Sequence, residues 1–168
     1  QPLHAFDAAK INTELMIRSA GDTKTIKTLD NQERKLAAED LVVADKKEAL
    51  ALAGVMGGAS SEVTDATTQI ALEAARFEPI RIAKSSRRHK LSSEASRRLE
   101  RGVDPSLAEI SSARAISLMI ELGGGKYVGS SFSGEPKFAP IVSFDAKFVS
   151  KYLGTEVSLT EVEEKLKI

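Results

Sequence analysis

The sequence predicts an α+β fold, and three observations carry that prediction. Short runs of branched apolar residues, bounded by Asp, Gly and Thr, fill the first half. Segments with helical spacing follow, the clearest being Leu107 to Leu122. The composition is that of an ordinary folded protein, with 42% hydrophobic and 29% charged residues among 168. The expected architecture is one of short strands with helices on the outside, followed by the start of a small helix-containing domain.

The elements follow in chain order. Glu14–Arg18 (ELMIR) and Lys24–Leu29 (KTIKTL) are strand candidates, and Asp30-Asn31 is a good turn pair. Leu41–Ala44 (LVVA), Ala49–Ala53 (ALALA) and Gln69–Ala74 (QIALEA) are further strands, although periodicity does not separate such short Leu/Ala runs from buried helix. Gly54, Gly57 and Gly58 fall within five residues, which predicts a tight turn with positive φ or a close backbone approach. Glu78-Pro79 opens a helix that runs to about Lys90, because Pro suits the first helical position. Ser92-Ser93 breaks it.

Asp104-Pro105-Ser106 starts the Leu107–Leu122 helix, and Gly123-Gly124-Gly125 stops it. Tyr127–Phe132 reads as a strand, and Ser133–Lys137 as a linker. Pro140–Phe144 reads as a strand, with helices at Asp145–Leu153 and Leu159–Ile168. Thr160 and Glu163 have capping-box spacing for the last helix. The expected boundary divides the chain into 1–137 and 138–168. Gln1 in place of an initiator Met, and the unfinished amphipathic run at Ile168, lead to the expectation of a segment from a longer polypeptide.

Residue counts narrow the chemistry. No Cys is present, which removes disulfides, thiol nucleophiles and thiolate zinc sites. The two His, His4 and His89, are too few for a His-rich metal site. No apolar run reaches the ~18 residues of a membrane span. The expected compartment is the cytoplasm. There is neither a nucleophile elbow nor a zinc-protease helix motif, and Gly123–Lys126 lacks phosphate-loop spacing.

Net charge is zero, yet Arg81 to Arg101 carries eight Lys/Arg against two Glu, a local +6. Such a stripe suits phosphates, with Arg87, Arg88 and Lys90 as candidate nucleic-acid contacts; its plainer reading is a solvated helix face, with Arg97 and Arg101 pairing with nearby carboxylates. Glu73 stands inside an apolar run, so it either faces solvent by strand alternation or lines a pocket. His4 alone reads as structural, and Met56 as core filler.

Five segments taken together carry a resemblance. Gln1–Asp7 (QPLHAFD), Leu52–Gly58 (LAGVMGG), Glu62–Asp65 (EVTD), Leu72–Ala75 (LEAA) and Arg98–Pro105 (RLERGVDP) occur in that order. They resemble the B3/B4 region of the bacterial phenylalanyl-tRNA synthetase β subunit. The tail, with Lys151-Tyr152-Leu153-Gly154, looks like the start of the small, winged-helix-like B5 domain.

The resemblance implies post-transfer editing, the hydrolysis of tRNA(Phe) wrongly charged with tyrosine. A hydrophobic synthetic pocket rejects one added hydroxyl only about 100-fold, whereas a second site that hydrogen-bonds the hydroxyl discriminates roughly 10⁴–10⁵ in the opposite sense. Glu73 would accept the phenol proton, and His4 would help place the attacking water. Gly57 would admit the backbone to the substrate, Ala95 would line the amino-acid pocket, and Ser93 would contact the substrate.

The implied partners are tRNA(Phe), its tyrosyl group and the synthetase α subunit in an α2β2 assembly, with no membrane. No cofactor is implied for this chain, since ATP and Mg2+ serve sites outside it, and the chain alone would not aminoacylate. It departs from the family pattern at Ser92-Ser93-Glu94, where Thr-Asp is common before the Ala, and at Arg76, where an apolar residue is usual. The rival readings are an RNA-binding module and a subunit-interface scaffold built on the Leu107–Leu122 helix.

Overall fold

The computed structural model describes residues 1–12, 14–134, 140, 141, 143 and 145–167. It divides into two compact units, Gln1–Pro136 and Lys137–Ile168. The first unit contains β1 (Leu3–Asp7), β2 (Met16–Ser19), β3 (Thr25–Lys27), β4 (Glu33–Lys35), β5 (Leu41–Ala44), β6 (Ala49–Leu52), β7 (Met56–Gly57) and β8 (Ile70–Ala74), then α1 (Pro79–Arg88), α2 (Glu94–Leu99) and α3 (Leu107–Gly123). The second contains α4 (Ala146–Leu153) and α5 (Leu159–Leu166). This is the α+β class that the sequence predicts.

The central sheet is antiparallel with strand order β2-β5-β6-β7. Every residue of β5 and β6 is buried, so these strands are covered on both faces and show no alternation. Their small residues Ala44, Ala49 and Ala51 let neighbouring layers approach closely. Phe6, Leu50, Leu52, Val43 and Ile82 form the main core, with Phe77 and Leu99 packed into it. Burying each large side chain contributes about 1.5–3 kcal/mol.

Two further antiparallel pairs complete the unit, β3 with β4 and β1 with β8. Asn31 makes the β3–β4 turn with φ +61°, which Asn tolerates better than most residues. The β1–β8 pair joins residues near the start of the chain to residues about seventy positions later, with Leu3 opposite Ala74 and Asp7 opposite Ile70.

Glu78 caps α1 by accepting from the Ile80 and Arg81 amides, with Pro79 at the first position. Gly124 ends α3 in the left-handed conformation, φ +67°.

The structure corrects several expectations. The Ser-rich break is itself a cap: the Ser93 hydroxyl accepts from Ser96 N and opens α2, a helix that the sequence reading lacked. Leu3–Asp7, Glu33–Lys35 and Met56–Gly57 are strands. Tyr127–Phe132 is not: among the described residues no neighbouring strand pairs with its backbone, and Val128 and Phe132 lie exposed. The capping box of α5 uses Ser158 and Glu161, two residues before the expected pair. The linker residues 135–137 and part of the predicted strand at 140–144 lie outside the described residues.

Candidate active site

The β1–β8 register sets His4 directly opposite Glu73. Directly opposed residues of an antiparallel pair project to the same face, with Cβ atoms about 4.5–5.5 Å apart. Both side chains line one cavity of about 70 Å3. Its other walls include Met56 and Gly57 from β7, Gly54 and Val55 from the loop before it, and Ala95 and Leu99 from α2. A void of this size holds several water molecules.

Glu73 does not face solvent by alternation, since β8 is half-buried from Ala71 to Ala74. Burial pushes its carboxyl up to about 7. Removal from water disfavours the charged form, and no ion pair among the described residues offsets the cost. His4 is shifted down, again by burial, so its imidazole is neutral at physiological pH. The ring stands edge-on to Phe6, with centroids 4.5 Å apart. The site therefore holds a neutral imidazole, able to take a proton, beside a carboxyl that titrates near neutrality.

Gly57 has a specific steric reason. A Cβ there would fall 2.6 Å from His4 Nε2 and 3.0 Å from Leu29 Cδ1. The space that a side chain would need is thus filled by the imidazole. Gly54, with φ +67°, lies beneath Leu99, Ile82 and Phe77, whose nearest atoms would be 2.9–3.0 Å from a Cβ. These two glycines match the predicted turn in both respects, a positive φ and a close approach.

Ala95 is at the cavity wall. Ser93 is not among the lining residues. Its hydroxyl donates to Val55 O at 2.7 Å and accepts from Ser96 N at 3.0 Å, so both capacities are engaged within the protein. Arg76 is exposed beside the buried Phe77, which puts that departure on the surface. Met56, read as core filler, is a half-buried wall residue. The flanking glycines mark its loop as one of close approach, and that was the available signal.

The basic stripe separates into two groups. Arg88 bonds Glu39 and the fully buried Asp40, and Arg81 donates to Glu39 O and Ser19 Oγ. Arg97 and Arg98 pair with Glu94. Arg87 and Lys90 are exposed and make no ion pair among the described residues. Arg88 is therefore a structural residue first, whereas Arg87 and Lys90 keep their charge toward solvent. Among the described residues, no helix is long and apolar enough to cross a membrane.

These features define the class. The B3/4 domain family model matches residues 1–124, and the chain belongs to that family. Its relatives are more particular. The chain is 45% identical to the phenylalanine–tRNA ligase β subunit of Cutibacterium acnes, over 99% of this chain and 20% of that protein. It is 48% identical to the β subunit from Corynebacterium glutamicum over 84% of this chain and 17% of the relative. It is 50% identical to that of Nocardia farcinica over 74% and 15%. The chain thus spans about a fifth or less of the length of these curated relatives.

Proposed function

We propose that this chain is an editing module of a phenylalanine–tRNA ligase β subunit, hydrolysing tyrosine wrongly esterified to tRNA(Phe). The observation that carries the reading is the pairing of His4 and Glu73 across β1–β8, with both residues lining a cavity bounded by Gly57 and Ala95. The names of the relatives support the parent enzyme. The parent would work in the cytoplasm with the α subunit in an α2β2 assembly. Residues 138–168 would begin the B5 domain.

In this mechanism the tyrosyl ring enters between Ala95 and the glycine loop, and the Glu73 carboxylate accepts the phenolic O–H. Phenylalanine offers no hydroxyl and leaves that half-buried group unpaired, which a polar site penalises by roughly 10⁴–10⁵. Water held near neutral His4 attacks the ester carbonyl while the imidazole takes its proton. Collapse of the tetrahedral intermediate breaks the bond to the ribose oxygen, which receives the proton. Tyrosine and free tRNA leave, with no covalent intermediate. Orientation and electrostatic stabilisation supply the rate.

The testing experiment is deacylation of tyrosyl-tRNA(Phe) and phenylalanyl-tRNA(Phe) by the complete synthetase carrying this sequence. Faster release of tyrosine supports the reading, and equal, uncatalysed rates contradict it.

A second, compatible reading has its own observation. No residue of α3 is buried, and Ile110 and Leu122 are 62% and 80% exposed. Exposed apolar side chains of this kind suit an interface within the larger subunit. Sizing the chain with and without Leu122→Glu tests it: self-association that the substitution abolishes supports an adhesive face, and a monomer in both cases removes it.

A further inference from the structure

We infer that Asp40, which is not among the cavity-lining residues, is a positioning residue that holds the α2 wall of the cavity in place. Its side chain is 0% exposed and lies just before β5. Each carboxylate oxygen accepts twice. Oδ1 takes the Ser85 hydroxyl at 2.7 Å and the Arg88 guanidinium. Oδ2 takes the Ala37 amide at 2.9 Å and His89 Nε2 at 2.7 Å. Three of these donors belong to α1 or its C-cap, and the fourth lies on the same turn as Asp40.

The anchor is rigid on the sheet side as well. Ala20 N donates to Asp40 O, and Ala53 N donates to Leu41 O, the next residue along. On the helix side, Arg34 donates to His89 O, and Arg81 reaches Glu39 O and Ser19 Oγ. A carboxylate with four donors is well satisfied, and removing its charge leaves several of them competing for too few acceptors.

From α1 the constraint passes to the cavity through named contacts. Ser86 of α1 donates to Leu91 O and approaches the fully buried Ser96 of α2, Oγ to Oγ 3.4 Å. Ser93, the cap of α2, donates to Val55 O. Ile82 of α1 and Leu99 of α2 both close on Gly54. Thus α1 and α2 move as a pair, and Gly54, Val55, Ala95 and Leu99, all lining residues, move with them. His4 and Glu73 sit on the β1–β8 pair, which shares the core with α1 and α2 through Phe6 but takes no part in these hydrogen bonds. A shift of α2 would change how deeply the ring seats, and hence whether its hydroxyl meets Glu73.

The activity readout rests on the proposed editing function, and the structural readout does not. The first arm compares wild-type synthetase with Asp40→Asn and Ser85→Ala in hydrolysis of tyrosyl- and phenylalanyl-tRNA(Phe). Positional loosening lowers the tyrosyl-to-phenylalanyl preference about tenfold in Asp40→Asn and less in Ser85→Ala. A loss of folded enzyme scales both rates together and leaves their ratio alone. The second arm follows amide hydrogen exchange. Residues 54–57 and 93–99 should exchange faster in both variants, while residues 3–7 and 70–74 keep wild-type rates.

Ser85→Ala retains the carboxylate and its other partners, so it decides the matter if Asp40→Asn does not fold. Unchanged exchange at 54–57 and 93–99 overturns the inference, as does an unchanged preference in an enzyme whose wild type discriminates. A wild type with no tyrosyl preference refutes the editing reading instead, and the exchange pattern then decides the positioning role alone.

Discussion

The imidazole of His4 occupies the space that a side chain on Gly57 would need, with Nε2 only 2.6 Å from where its Cβ would lie. The glycine and the histidine are therefore one device: Gly57 of β7 carries no side chain, so that β1 can place its ring in the cavity. Gly57→Ala should displace the imidazole and slow tyrosyl-tRNA(Phe) hydrolysis by about 100-fold, the scale of a 1 Å misplacement. Deacylation kinetics check this, with circular dichroism confirming the fold. Wild-type rates would show that the ring's position does not matter.

Glu73 makes stability depend on pH in a definite sense. Burial raises its carboxyl from 4.5 to about 7, so between those values the folded chain binds more protons than the unfolded one. Its contribution is best preserved below the unfolded value and is lost as pH rises through about 7. Glu73→Gln has no charge to desolvate, so it should match wild type in acid and exceed it above neutrality, by at most about 3 kcal/mol. Denaturant unfolding from pH 5 to pH 8 checks this. A difference that stays constant with pH would contradict a buried, titrating Glu73.

Ala95 sets the room available for the amino-acid side chain. In a cavity of about 70 Å3, Ala95→Leu removes much of the space. Tyrosyl-tRNA(Phe) hydrolysis should fall at least about tenfold, while aminoacylation by the complete enzyme is unchanged. Parallel deacylation and aminoacylation assays check it, and retained editing would place the ring elsewhere.

Neighbouring arginines should behave oppositely. Arg88→Ala leaves Asp40 without its guanidinium and should cost about 2 kcal/mol or more of stability. Arg87→Ala touches no ion pair among the described residues and should leave stability within about 0.5 kcal/mol. If the stripe meets RNA, Arg87→Ala instead weakens tRNA binding and reduces its salt dependence. Unfolding curves and filter binding at two salt concentrations separate these effects.

Local chemistry made part of this molecule legible. LVVA and ALAL announce β5 and β6 because branched and small apolar residues run unbroken between turn residues. Glu78-Pro79 and Gly124 mark helix ends by their own conformational preferences. Leu3–Asp7 carries no such mark: it is a strand because Ile70–Ala74 pairs with it, a long-range fact. Tyr127–Phe132 has strand composition and no partner strand among the described residues. In α2 the deciding feature is one hydroxyl, Ser93, in a segment rich in Ser and Arg rather than apolar residues.

The site was legible in the same uneven way. Glu73 stands out as a carboxylate within Ile70–Ala75, and the glycine loop as a place of close approach. Their meeting with His4 depends on register, which the residues alone do not supply. The four donors on Asp40 come from residues up to 49 positions away, so its burial has no local signature.

The central claim is that Glu73 reads the tyrosine hydroxyl beside a water-placing His4. The most direct test is deacylation of tyrosyl- and phenylalanyl-tRNA(Phe) by the complete synthetase and its Glu73→Ala variant, at equal tRNA affinity. The account predicts that the variant loses its tyrosyl preference while still binding tRNA. Undiminished, tyrosine-selective hydrolysis by a folded Glu73→Ala enzyme would contradict it.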